Sequence, residues 1–329
     1  MNVEQVNKSY IYYNESTFMH IRQYYLYCVG LLRKTLAQTD VAINIIIGNY
    51  KIKFPNKFPT YKIDIQYEHT LVKQGGRDVE EAVIGSVTTT DGTPYLVRIA
   101  NFKYYASLDF VVDYSKPNIV NINESGKFER YLKKCTHISP LLYDFKQDYL
   151  MKNRSKQIVT TFIDENEQRR KLLMDNLRSA NLPYSNETNC FSNKDVETLY
   201  TDTKILLNIH QTPHHETFEE LRVLPALLCG CIVISEDVPL KEHIPYSKFI
   251  IWTNYKSIIE KTKQVSDNYN YYFNKIFITG GLLNIINTME KENYENIKHI
   301  ISYIDRSRAN EKQENPLVLF WRKIIDGTK

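Results

Sequence analysis

The chain has 329 residues, of which 43% are hydrophobic and 24% charged, an ordinary globular balance over a length that favours two domains. Its 42 basic and 38 acidic side chains leave a net charge of +4, too balanced and too dispersed for a nucleic-acid partner.

The first elements alternate. SYIYY (9–13) reads as a strand, and STFMHIRQYYLYCVGLLRKTLAQ (16–38) as a helix capped by Ser16. VAINIIIG (41–48) has the β-branched run of a buried strand, and YKIDIQYEHTLV (61–72) is a second extended candidate. AVIGSVTTTDGTPYLVRI (82–99) places Asp91-Gly92 between two β-prone runs, which predicts a hairpin over 83–99. LDFVVDYS (108–115), IVNINES (119–125), a basic helix around KFERYLKKC and then THISPLLYDF complete an α/β domain over 1–150 that carries the hairpin as an insertion.

MKNRSK (151–156) is polar and reads as a linker into a second domain, 151–329. There QIVTTF, KILLNIH, CIVISE and KFIIW read as strands. ENEQRRKLLMDNLRSA, KDVETLYTDT, TFEELRVLPALLCG and NYKSIIEKTKQVSDN read as helices. Strand–helix alternation with short connections predicts a parallel, doubly wound sheet. The tail NPLVLFWRKIIDG (315–327) reads as an amphipathic helix that packs back on the first domain. No stretch approaches the ~20 apolar residues that span a bilayer, and the first residues lack a secretory signal. Peripheral membrane contact stays open. Cys28, Cys135, Cys190, Cys229 and Cys231 form no CxxC, so neither zinc nor a disulfide framework is expected and a cytoplasmic location fits.

Chemistry-bearing residues gather where KILLNIH ends. His210, His214, His215, Glu216, Glu219 and Glu220 lie between that strand and a helix expected to start near Glu216 or Thr217. In a parallel sheet this is a carboxyl-end loop leading into a helix N-terminus, which suits an anion such as a pyrophosphate. Arg222, in the second turn, can reach a phosphate bidentately. A solvated loop followed by surface helix charges accounts for His214, His215 and Glu216 equally well, and the histidines lack metal-ligand spacing. In the first domain EHTLVKQGGRD (68–78) puts Glu68 and His69 after a strand, with Lys73 and Arg77 nearby. Gly75-Gly76 permits close backbone approach to a phosphate or sugar. His69 suits a general base, Glu68 is the alternative base, and Asp113 and His137 are weaker candidates. A plain Gly-Gly turn beside a hydrogen-bonded His69 explains the same stretch.

FEELRVLPALLCGCIVISEDVPL (218–240), followed by KFIIW, resembles the donor-binding half of GT-B glycosyltransferases, the exostosin-like and group 1 enzymes in particular. Arg222, Ala226-Leu227 and Gly230-Cys231 carry the likeness. VTTFIDENEQRRKLL (159–173) is similar to the first strand and helix of that half, and the resemblance covers about 157–255. It implies an α/β fold with two Rossmann-like domains whose parallel sheets face across a cleft. It also implies a nucleotide-sugar donor as substrate, with Arg222, Arg169, Arg170 and Lys204 neutralising its diphosphate. Pro225 stands where relatives place a Glu. No Asp-x-Asp occurs in the chain, in keeping with transfer that needs no metal and no cofactor. The expected acceptor is a glycan, a lipid-linked glycan or a protein side chain. The alternatives are a non-catalytic sugar-nucleotide-binding or scaffold protein of the same fold, and a dehydrogenase, which the lack of GxGxxG disfavours.

Overall fold

Runs of Ile and Val between amphipathic stretches give a mixed α/β chain, which a computed structural model describes for residues 1–16, 21–48, 50–73, 83–88, 92–99, 102–190, 192–214, 216 and 218–313. In order, the first half comprises Asn2–Val6 (β1), Ser9–Tyr13 (β2), Arg22–Leu36 (α1), Asn44–Ile47 (β3), Thr60–Gln66 (β4), Leu71–Lys73 (β5), Val83–Thr88 (β6), Pro94–Arg98 (β7), Phe102–Ala106 (α2), Phe110–Asp113 (β8), Lys116–Glu124 (α3), Glu129–Leu132 (α4), Cys135–His137 (β9) and Gln147–Leu150 (α5). The second comprises Lys156–Thr160 (β10), Gln168–Ser179 (α6), Tyr184–Asn186 (β11), Asn193–Asp202 (α7), Thr203–Asn208 (β12), Glu220–Leu228 (α8), Ile232–Glu236 (β13), Ile251–Thr253 (β14), Ile258–Asp267 (α9), Tyr269–Phe273 (α10) and Leu282–Gln313 (α11).

Strands pair in the order β1-β2-β3-β4-β8-β9, β11-β10-β12-β13-β14 and β5-β7-β6. The second of these sheets is parallel throughout. In the first, β2 to β9 are parallel and only β1 runs antiparallel, along the edge. The small third sheet contains the β6–β7 hairpin. In the second sheet the chain enters at β10 and winds outward in both directions, to β11 and to β12. The carboxyl ends of β10 and β12 therefore form a topological switch point, where open α/β sheets leave a crevice for ligands.

Each parallel sheet has its own apolar core. Ile11, Ile45, Ile63 and Val112 pack with Tyr24 and Tyr25 of α1 in the first. Ile158, Leu206 and Val233 pack with Val223, Leu224 and Leu227 of α8 in the second. α11 joins them: Leu282, Ile286 and Met289 lie in the second core, whereas Ile297, Ile300, Ile301 and Ile304 lie in the first.

Several elements depart from the sequence reading. α1 begins at Arg22, and residues 17–20, between it and the expected Ser16 cap, lie outside the described residues. α8 begins at Glu220, not near Glu216. Tyr184–Asn186, which the sequence reading assigns to no strand or helix, pairs as an edge strand with β10. The polar segment 151–156 holds a buried guanidinium: Arg154 donates to the carbonyls of Tyr149, Tyr200, Thr203 and Cys229. The expected tail helix 315–327 lies outside the described residues, and the crossing onto the first core is made by α11. No helix among the described residues is long and apolar enough to cross a membrane.

Candidate functional site

A cavity of about 490 Å³ opens at the switch point, between the two parallel sheets. From the first half it takes Arg22, Glu68, His69 and Arg98; from the second it takes Thr161, His210, Glu219 and Arg222. The loop after β4 is held rigidly. Gln66 and Asn118 donate to the Glu68 carbonyl at 2.6 and 3.2 Å, and Arg98 Nε donates to the His69 carbonyl at 3.1 Å.

His69 is the bridge between the halves. Its Nε2 lies 3.1 Å from Glu219 Oε1, and its Nδ1 lies 3.0 Å from the hydroxyl of Tyr114. Burial alone would raise the Glu219 carboxyl. The charge and hydrogen bond of His69, then the charges of Arg222 and Arg170, outweigh it and hold the group well below the usual carboxylate range. Glu219 is therefore an anion at neutral pH. Glu68, half-exposed, faces Arg98 at 3.8 Å.

Arg222 is the third residue of α8, so it extends from the first turn and not from the second as the expected start near Glu216 implied, and it is steadied by Asn208 Oδ1, 3.1 Å from Nη1. Its fork is not occupied by a carboxylate among the described ion pairs, so it remains able to grip an anion. Arg170 stacks on Phe162 at 4.9 Å and donates Nη1 to the Asp164 carbonyl. Its Nε is buried without a partner among the described residues, and burial, followed by the charge of Arg222, lowers its pKa.

Other candidates are placed differently. Arg169 is not free for a phosphate, because it grips Glu236 at 2.6 Å. Lys204 lies at the amino end of β12, over the ring of Tyr269 and away from the cavity; strand rise of ~3.3 Å per residue separates it from the His210 end. Glu216 is bound by Lys73 and by the Tyr95 hydroxyl, and the His214 carbonyl accepts the Lys73 N–H at 2.9 Å. These contacts fasten the 211–216 loop to the small sheet. Glu220 faces away from the cavity and accepts the Tyr246 hydroxyl at 2.9 Å. His215, Gly75, Gly76 and Arg77 lie outside the described residues. Asp113 and His137 are buried opposite one another on β8 and β9. Burial pushes the Asp113 carboxyl up to about 8 and His137 down to about 3. No cluster of metal-ligating side chains occurs among the described residues.

Tyr114, Arg98, Asn208 and Glu236 were not picked out from the sequence. Glu236 had a signal: it is a carboxylate ending the apolar run CIVISE, on the strand that pairs beside the one ending in NIH.

No protein-family model matches the chain. A segment of 88 residues is 33% identical to an uncharacterized protein of Acanthamoeba polyphaga mimivirus. That likeness covers 26% of this chain and 31% of the viral protein, so the chain matches under a third of its length.

Proposed function

We propose that the protein is a GT-B-type glycosyltransferase that moves a sugar from a nucleotide-sugar donor to a glycan, lipid-linked or protein acceptor without a metal ion. The observation that carries this reading is the convergence, in one switch-point cavity, of a rigid His69 loop from the first half and Arg222 from the second. The donor diphosphate lies against Arg222, and the charge of the buried Arg170 adds to the positive field behind it. As the bond from the sugar to the phosphate oxygen breaks, the nucleotide diphosphate leaves with the electron pair, and fixed cations in a partly dehydrated cleft stabilise that charge. In an inverting transfer the acceptor oxygen bonds to the sugar carbon and its proton passes to His69 Nε2. For this the acceptor hydroxyl must replace Glu219 there, and the ring must first release to solvent the proton that Nε2 donates to Glu219, so that Nε2 is free to accept.

A thermal-shift panel of UDP-, GDP-, CMP- and dTDP-sugars tests the reading. One member is expected to raise Tm by several degrees at saturating concentration, with the shift lost in Arg222→Ala. A panel without any shift, or a shift that survives Arg222→Ala intact, overturns it. Pro225 within α8 and the double engagement of His69 favour a second reading, a sugar-nucleotide-binding protein without turnover. Donor binding with neither transfer nor donor hydrolysis supports that alternative.

A further inference from the structure

A buried polar chain runs behind the cavity, and the chemistry above does not use it. The Tyr255 hydroxyl donates to the Arg169 carbonyl at 2.6 Å, and the Arg169 guanidinium lies 4.3 Å over the Tyr255 ring. Arg169 grips both oxygens of Glu236, at 2.6 and 3.3 Å. Glu236 Oε2 accepts the backbone N–H of His210 at 3.1 Å and lies 3.5 Å from its Nδ1. On the other side of the ring, Nε2 is buried and has no hydrogen-bond partner among the described residues, although His210 lines the cavity.

A carboxylate facing Nδ1 selects the tautomer with its proton on that nitrogen. Burial, then the charges of Arg169 and His69, hold the ring pKa down at about 3; Glu219 opposes them and Lys73 reinforces them. The ring is thus neutral, and Nε2 is an acceptor only. A diphosphate has no proton to offer it, but a hydroxyl has. A buried polar nitrogen without a partner is costly, and in a native protein it calls for a water or a ligand group.

Resting on the glycosyl-transfer reading, we propose that His210 stands outside the anion site and reads a hydroxyl. Its Nε2 accepts a hydrogen bond from a ligand sugar hydroxyl, and Glu236, Arg169 and Tyr255 are positioning residues that set the ring and its tautomer. The hydroxyl belongs to the ribose or to the transferred sugar.

The test is ring-nitrogen NMR of the full chain with 15N-labelled histidine, with the His210 signals assigned by their loss in His210→Gln. At pH 7 Nδ1 is expected to be protonated and Nε2 bare, whereas Glu236→Gln is expected to mix the tautomers and weaken nucleotide-sugar binding about tenfold. If Glu236→Gln does not fold, Arg169→Lys loosens the same clamp and is expected to mix the tautomers as well. On saturation with the stabilising panel member, Nε2 is expected to move upfield while Nδ1 keeps its proton. The same response to the bare nucleoside diphosphate assigns the ribose, and a response to the nucleotide sugar alone assigns the transferred sugar. A protonated Nε2 in the free protein, an Nε2 signal unmoved by saturation, or tautomers indifferent to both clamp variants overturns the proposal. A panel with no stabilising member removes the glycosyl-transfer reading, yet the free-protein spectrum still decides the tautomer.

Discussion

Glu220 opens α8, but its carboxyl is fully buried, with Oε2 held by Tyr246 and Oε1 left without a partner among the described residues. Burial pushes its pKa up to about 7, against hydrogen bonds from Ser115 and Tyr246 that act the other way. Because the folded value lies above the ordinary one of 4.5, the native state holds a proton that the unfolded chain has released. The resulting stability is complete below the unfolded value and is lost as pH rises through the folded one. Asp113 adds a similar decline toward pH 8, and His210 and His137, both pushed down, contribute the opposite slope at lower pH. The difference between Glu220→Gln and the native protein isolates one group. It is expected to move in the variant's favour between pH 5 and 7.5, by up to on the order of 3 kcal/mol, and then to level off. Denaturant titrations at five pH values measure it; a pH-independent difference rules out Glu220 as the titrating group. At this scale the sequence told where polar residues gather, because strand ends are visible in it. It could not tell which were free. Arg169 reads as a phosphate ligand until its partner, 67 positions away at Glu236, is known. Lys204 was judged by residue type, although it begins the strand whose far end carries His210.

Among the elements, the helix–strand turn after α8 depends on one glycine. Gly230 has φ +81°, and a Cβ there would come 2.4 Å from Arg154 Nη2 and 3.2 Å from Leu150 Cδ2. That guanidinium ties the ends of α5, α7 and α8 together through four carbonyls. Gly230→Ala is therefore expected to cost about 2–4 kcal/mol, from left-handed backbone strain and displaced hydrogen bonds. Urea unfolding of Gly230→Ala, Arg154→Ala and the double variant should give clearly less than additive losses. Simple additivity would mean that the two residues do not act through their contact. The Gly-Cys pair was visible in the sequence, but the buried arginine that makes its glycine necessary sat in a stretch with every mark of a linker. Buried parallel strands were legible because their β-branched runs are nearly continuous. Polar, three-residue β11 was not, since an edge strand that short leaves no pattern. α11 had a pattern that went unread: Leu282, Ile286, Met289, Ile297, Ile301 and Ile304 recur at helical spacing.

At the scale of the whole molecule, two segments among the described residues pass between the parallel sheets: the stretch after β9 and α11. They are locked together where they meet. Asn293, fully buried midway along α11, accepts the Ser139 N–H at 2.8 Å and donates to the Ser139 carbonyl at 2.8 Å and to Tyr27 at 3.0 Å. Residues on its two sides enter different cores, Met289 the second and Ile297 the first. One side chain thus satisfies the backbone of the other crossing while aligning a helix that belongs to both cores. The clasp is expected to help set the orientation of the sheets, and with it the meeting of His69 with Glu219. Asn293→Ala leaves the buried Ser139 N–H without its partner, while the Ser139 carbonyl keeps the Leu141 N–H, and is expected to cost about 2–4 kcal/mol. It should also separate urea unfolding into two transitions, one for each core, where the native chain is expected to show one. Far-UV dichroism compared with the fluorescence of Trp252, which packs against the second core, reads both effects. A loss below about 0.5 kcal/mol with coincident transitions would show that packing of α11 alone holds the two halves in register.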